Sequence, residues 1–272
     1  MGLKTFLIGT LPGRLLMTLP RAWMALKGTL PPLLQILPWV VRSREYVNFT
    51  YDTTELSQYA LCAMVAQVAS IDIQQCRNYV RELQEDQELG GYLREQTEKS
   101  DRKWSSDAEF RPGKRLFYYV MVRATKPRQV VEAGVDKGLG AVIISKALQK
   151  NREEGFAGEY TGIEFNTAQS CALYTAYPGR TGTLVYGSSP EVVRAFTQPI
   201  NLFIHDTLNE SGHVQKQFDA LLGKLAPDGV VLAPWTTAQL MDIATANGKR
   251  FLSHHEETKN HWYAGARLFA MF

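Results

Sequence analysis

The feature that most constrains this chain is a regular alternation that sets in near residue 114. Short apolar runs of strand length are separated there by stretches with helical spacing. QVVEAG (129–134), YTGIE (160–164), TLVYG (183–187) and NLFIHD (201–206) read as strands, and GVVLA (229–233) follows a Pro-Asp-Gly turn as the fifth. LGAVIISKALQK, TAQSCALYTA, PEVVRAF and HVQKQFDALLGKL between them read as helices, and LFYYVMVRA ahead of them as a helix that ends at Lys126-Pro127. A helix TAQLMDIATANG, a strand KRFLSHH and a last strand AGARLFAMF complete the pattern. Apolar strands buried on both faces and joined by amphipathic helices predict an α/β, doubly wound, Rossmann-like sheet that is mostly parallel.

In such a sheet the ligand lies beyond the carboxyl ends of the strands, near the point where strand order reverses. The first strand ends in Glu132, Gly134, Asp136 and Gly138 and runs into a helix N-terminus, which favours an anionic ligand group. The second ends in Glu164, placed to accept hydrogen bonds from a ribose diol. Both features suit an adenosine-bearing cofactor. A dinucleotide fingerprint needs Gly-x-Gly-x-x-Gly, whereas Asp136 and Leu139 hold the second and third glycine positions. A carboxylate facing pyrophosphate is repulsive, so a nicotinamide or flavin dinucleotide is disfavoured, and the chain has no Walker loop. A cationic sulfonium or ammonium beside Glu132 and Asp136 is favoured instead.

VVEAGVDKGLG, YTGIEFN, NLFIHDT, KLAPDGVVLAPW and the final strand pair together resemble a class I S-adenosylmethionine-dependent methyltransferase, closest to the bacterial small-molecule O-methyltransferases. The resemblance spans residues 111–272. It implies that the last strand is antiparallel and that S-adenosylmethionine is the cofactor. It also implies a methionine-side loop at Glu132, Gly134 and Gly138, a ribose contact at Glu164, and Phe165 against the adenine. Ser188, in Gly187-Ser188-Ser189, contacts the adenine amine by the same likeness, and Asp206 closes the fourth strand beside cofactor and acceptor. Metal-dependent members carry further carboxylates or Asn after the fourth and fifth strands. Thr207-Leu208-Asn209 and Ala233-Pro234-Trp235 stand there instead, so no metal is expected.

All five histidines, His205, His213, His254, His255 and His261, lie after residue 204. Methyl transfer from a sulfonium needs an aligned acceptor and a group to take its proton, and histidine titrates in the right range. The expected bases are His205 or His261, with Asp206 orienting the base or the acceptor. His254 and His255 are read as structural. Trp235, Trp262 and Tyr263 offer an aromatic wall for a hydrophobic or amphipathic small-molecule acceptor. Nucleic acid is not expected, because no basic stripe accompanies the site. The competing reading is a protein that keeps the fold and cofactor pocket but runs a non-methylating reaction or serves as a binding subunit.

Three segments follow: a basic apolar arm (1–44), a helical lid or dimerisation segment (45–110) and the catalytic domain (111–272). The arm carries Lys4, Arg14, Arg21, Lys27, Arg42 and Arg44 with no acidic residue, although the whole chain is only +3. Its prolines, Pro12, Pro20, Pro31, Pro32 and Pro38, are expected to prevent one long helix. The longest uncharged run, Gly28 to Val41, is too short to span a bilayer. The arm is expected to pack on its own domain or on a second subunit, giving a homodimer, with peripheral membrane contact as the alternative. In the lid, Asp52 with Glu55 and Asp72 with Gln75 have capping spacing, and the second helix is expected to stop at Gly90-Gly91. The charged run at 81–88 reads as a solvated face. Three cysteines without short spacing suggest neither a zinc site nor a disulfide framework and fit a reducing cytoplasm.

Overall fold

A computed structural model describes residues 2–46, 48–100, 103–168, 171–259 and 261–272, apart from the Ile8 side chain. Two compact units emerge, Met1–Ser43 with Asn260–Tyr263, and Arg44–Lys259 with Ala264–Phe272. The first contains helices α1 (Leu3–Gly9), α2 (Leu11–Leu16) and α3 (Thr18–Arg42). Thr10 caps α2 by accepting from the Gly13 backbone N–H at 3.2 Å. Contrary to the expectation from its prolines, α3 is continuous over 25 residues with Pro31, Pro32 and Pro38 inside it. Each proline removes a backbone hydrogen bond, but none of the α3 residues is buried, so water reaches the carbonyls left over.

The second unit opens with β1 (Asp52–Thr53), α4 (Glu55–Ala69), α5 (Ile73–Gln84) and α6 (Gln87–Lys99). Asp52 is not the cap of α4, because it pairs with Lys259 in a two-residue antiparallel ladder between β1 and β8 (Thr258–Lys259). Thr54 caps that helix through the Ser57 N–H instead. Asp72 caps α5 as expected, through the Gln74 N–H. Gly90 and Gly91 lie inside α6 and do not end α5. Asp86 accepts from the Leu89 N–H and starts a new helix two residues after α5 closes. Tyr51 donates to Glu256, and Ser57 Oγ lies 3.0 Å from His254 Nε2, so the start of this unit is bonded to its end.

The alternation beyond residue 114 folds as expected. Helix α7 (Arg115–Thr125) leads into β2 (Gln129–Ala133), α8 (Leu139–Glu153), β3 (Glu159–Glu164), α9 (Ala172–Thr175), β4 (Thr183–Tyr186) and α10 (Ser189–Ala195). Then come β5 (Ile200–His205), α11 (Ser211–Leu221), β6 (Leu225–Ala233), α12 (Ala238–Ala246), β7 (Phe251–His255) and β9 (Arg267–Met271). The expected TAQSCALYTA helix is reduced to α9: Thr167 and Ala168 form a turn, Cys171 precedes the helix with a left-handed backbone, and residues 169–170 lie outside the described residues. Strand β6 begins ahead of its Pro-Asp-Gly turn, because Ile200 pairs with Leu225 before the register jumps to Leu202 with Val230. The sheet order is β4-β3-β2-β5-β6-β9-β7, parallel except at β9, which runs antiparallel to both neighbours. Order reverses between β2 and β5, and the crevice of a doubly wound sheet opens at that point.

Alternation along the strands sorts the core into two layers. Val130, Leu202, Ile204 and Leu232 face one layer with α4, α5, α7 and α8; Val131, Phe203, Val231 and Phe269 face the other with α11 and α12. The charged run at 81–88 is not wholly solvated. Glu82 accepts from Arg123 Nε at 2.7 Å, and Asp86 pairs with Lys146 at 2.9 Å. Arg123 is 2% exposed, also pairs with Glu154 at 2.6 Å, and lies 4.5 Å from the Tyr79 ring centroid. Its guanidinium thus ties α5, α7 and α8 together. Replacing it by Met would leave Glu82 without its charge partner, and Arg123→Met should cost about 3–5 kcal/mol in denaturant unfolding. A loss within error of zero would show that the pair carries no stability.

Candidate active site

The carboxyl ends of β2 and β5 meet at Gly134. Its φ is +94°, and a Cβ there would lie 2.1 Å from the Asp206 carbonyl oxygen, so only glycine allows this approach. The Gly134 N–H donates to Ile163 O at 2.9 Å and the Asp206 N–H to Ala133 O at 2.9 Å, which continues the sheet into the loop. Asp136, where the dinucleotide fingerprint has glycine, also adopts a left-handed backbone, with φ +51°. Aspartate is among the few residues that tolerate this, and Asn48 Nδ2 donates to its carboxylate at 2.8 Å. The Glu164 carboxylate holds the same loop: it accepts from the backbone N–H groups of Val135 (3.1 Å), Asp136 (2.9 Å) and Asn166 (2.9 Å).

Glu132 is buried, accepts a hydrogen bond from the Tyr160 hydroxyl, and lies so close to α8 that a Cβ on Gly140 would meet Oε1 at 2.4 Å. Burial pushes its carboxyl up to about 8, so it is mostly protonated at neutral pH. Asp206, just past β5, is gripped from α7 and its N-terminus. Lys114 Nζ pairs with Oδ1 at 2.7 Å, and the Tyr118 hydroxyl donates to Oδ2 at 2.9 Å. The Lys114 amine also lies 5.2 Å from the Trp235 ring centroid, and its burial lowers its pKa against the pull of Asp206.

Two cavities share this junction. One, of about 770 Å³, is lined by Leu93, Phe110, Arg111, Arg115, Glu132 and Leu173. The other, of about 1220 Å³ and open to solvent, is lined by Ile163, Glu164, Phe165, Asn166, Ser188 and His213. Gly134, Asp136 and Asp206 belong to both walls. The structure therefore gathers Gly134, Asp136, Glu164, Phe165, Ser188 and Asp206 on one crevice and Glu132 on its neighbour. Gly138 lies behind the loop at the start of α8, where a Cβ would come 2.8 Å from the Tyr174 backbone nitrogen.

Of the two expected histidine bases, His205 does not reach the crevice. His205 shares the strand face of Phe203, so period-two alternation turns it away from the cavities and under α11. There it is fully buried, its Nδ1 bonded to Gln217 Oε1, and burial lowers its pKa to about 4. His261 belongs to the other unit, in a ring cluster with Trp39, Trp262 and Tyr263. Of the expected aromatic wall, Trp235 stands beside the Lys114–Asp206 pair, while Trp262 and Tyr263 belong to the other unit. Sequence reasoning missed Lys114, Tyr118 and Asn48. The first two lie four residues apart, a spacing that places them on one helix face, but the apolar run around Tyr118 reads only as core.

Residues 131–233 match the family described as a methyltransferase domain. No curated protein matches the chain. Among solved structures, an S-adenosylhomocysteine-bound methyltransferase of Podospora anserina is 14% identical, with TM-score 0.47, covering 67% of this chain and 86% of its own. The O-methyltransferase TomG of Streptomyces achromogenes, described as involved in tomaymycin synthesis, is 14% identical, with TM-score 0.47, covering 68% and 88%. An O-methyltransferase of Bacillus cereus is 12% identical, with TM-score 0.48, covering 66% and 89%. The family match runs from β2 through β6, so that part of the chain is a methyltransferase domain. That segment lies within the mostly parallel sheet described above and carries the loop residues of the crevice.

Gly134→Ala tests the junction. The added methyl cannot fit without parting β2 from Asp206, so the variant should lose more than about 1 kcal/mol of stability and bind S-adenosylhomocysteine at least tenfold more weakly by calorimetry. Unchanged binding would show that the close approach is dispensable.

Proposed function

We propose that the protein transfers a methyl group from S-adenosylmethionine to a hydroxyl or amine of a small amphipathic molecule, without a metal and without a histidine base. The observation that carries this reading is the shared wall: two cavities meet at Gly134, Asp136 and Asp206. The crevice along Glu164, Phe165 and Ser188 suits the nucleoside, with the remaining acceptor site of Glu164 Oε1 for a ribose hydroxyl and Phe165 for the adenine face. The cavity beside it suits the acceptor, since Leu93, Phe110 and Leu173 give apolar contact while Arg111 and Arg115 supply charge. The cradle fits the group because Gly134 lets the loop after β2 pass against the Asp206 backbone and Gly140 makes room for the Glu132 carboxylate, which sets both acids at the junction.

When bound, the cofactor supplies an activated methyl on a sulfonium, so the protein's task is alignment and proton removal. Asp206 meets the acceptor at the junction, accepts its hydrogen bond and takes its proton. Lys114 and Tyr118 position that carboxylate and compensate its charge, which is the work a divalent cation would otherwise do. Asp206→Asn should therefore lower kcat by about 10²–10⁴-fold. Lys114→Met should lower kcat less and shift the pH–rate profile, and excess EDTA should leave wild-type turnover unchanged. Loss of turnover in EDTA that magnesium restores would overturn the metal-free part of the reading.

Calorimetric titration with S-adenosylmethionine and S-adenosylhomocysteine tests the cofactor half. Micromolar binding that weakens at least tenfold in Glu164→Ala is expected; a folded wild type that binds neither compound would sink the proposal. Glu132 adds a pH signature. Its carboxyl is raised to about 8 in the free protein, and a sulfonium nearby favours the ionised form. Affinity for S-adenosylmethionine should thus rise as pH approaches 8, with more proton release than S-adenosylhomocysteine, which lacks the sulfonium, produces.

A further inference from the structure

Along α3, Leu19, Trp23, Leu26, Leu30, Leu33 and Leu37 recur at alternating spacings of four and three residues. At about 100° per residue they fall, with Leu34, Val40 and Val41, in an uncharged stripe about 120° wide. The helix is about 37 Å long at 1.5 Å per residue. Arg21, Lys27 and Arg42 lie off the stripe, as do Pro31, Pro32 and Pro38. The six repeating residues are 43–81% exposed, and in the same unit Leu3, Leu11, Leu15 and Leu16 are exposed as well. Isolated exposed leucines are ordinary, but an unbroken apolar stripe of this length marks an interaction surface.

From Met1 to Ser43 the chain carries Lys4, Arg14, Arg21, Lys27 and Arg42 and not one acidic residue. Two copies of α3 packed stripe to stripe would bring only cations to the seam, without the opposite charges that set partner choice in paired helices. Among the described residues no single helix is long and apolar enough to cross a membrane. An apolar face bordered by cations, with a tryptophan on it, has the chemistry of a helix lying flat in a lipid interface. We propose that the segment Leu3–Arg42 binds the surface of an anionic phospholipid bilayer, with the α3 stripe in the acyl boundary and its cations at the headgroups.

The test is density-gradient flotation of the full chain with vesicles of phosphatidylcholine alone and of equal parts phosphatidylcholine and phosphatidylglycerol. The chain should float with the mixed vesicles, weakly with the neutral ones, and less as salt rises. Arg21→Gln and Lys27→Gln should each lower partitioning about fivefold, the effect of one surface cation. Leu30→Glu with Leu37→Glu should abolish flotation while the thermal transition of the protein stays unchanged. Failure of the wild type to float with mixed vesicles overturns the proposal. So does flotation that survives the double substitution, or a dimer in light scattering that this substitution splits in a chain that binds no vesicles. Cofactor binding enters none of these readouts, so the result is independent of the catalytic reading.

Discussion

The ion pair between Lys114 and Asp206 joins the start of α7 to the end of β5, and the walls of both cavities depend on where it holds that carboxylate. Neither partner is stable there alone. A nearly buried amine without a counter-charge would lose its proton, and a carboxylate at a strand end without donors would turn to solvent. Tyr118, one turn further along α7, fixes the second oxygen, and the Asp206 backbone closes the sheet against Ala133. Charge, hydrogen bonding and strand register thereby agree on one position for one side chain.

The loop after β2 is built on the same economy of space. Gly134 lets the backbone pass Asp206, Asp136 bends it in a left-handed conformation, and Glu164 gathers the amides that face the crevice. The acidic residue at 136 looks like damage to a nucleotide-binding fingerprint when only glycine positions are counted. In three dimensions it is an alternative solution to the same turn, held by Asn48 from the helical front of the unit.

Most of the fold was legible because its signals are local and periodic. Apolar runs of five or six residues, helix-length spacers and the Pro127 break set the order of elements, and the crevice rule then picked Glu132, Gly134 and Glu164, while Asp206 came from the family resemblance. The failures came where distant chain decides. Thr54 displaces Asp52 as a cap because Asp52 is needed in a ladder with Lys259, and Asp86 restarts a helix because it also meets Lys146. His205 is expected as a base, although the parity of Phe203 and His205 already places both on one strand face, under α11. Lys114 and Tyr118 carry no motif at all, and their meaning appears only when α7 is laid beside β5.

The bonds that stitch the start of the second unit to its end have a consequence for how the chain is made. Tyr51 with Glu256, Thr54 with Glu257 and Ser57 with His254 join residues 197–205 positions apart. During synthesis the helices α4 to α6 emerge long before these partners exist, so their exposed edge waits while the sheet is assembled behind them. Closing a loop of that size is an entropic cost met only once the last strands have left the ribosome. Folding of this unit therefore finishes at its beginning, and a chain stalled or cut before residue 254 would keep much of its local helix and strand pattern while leaving its front unsealed.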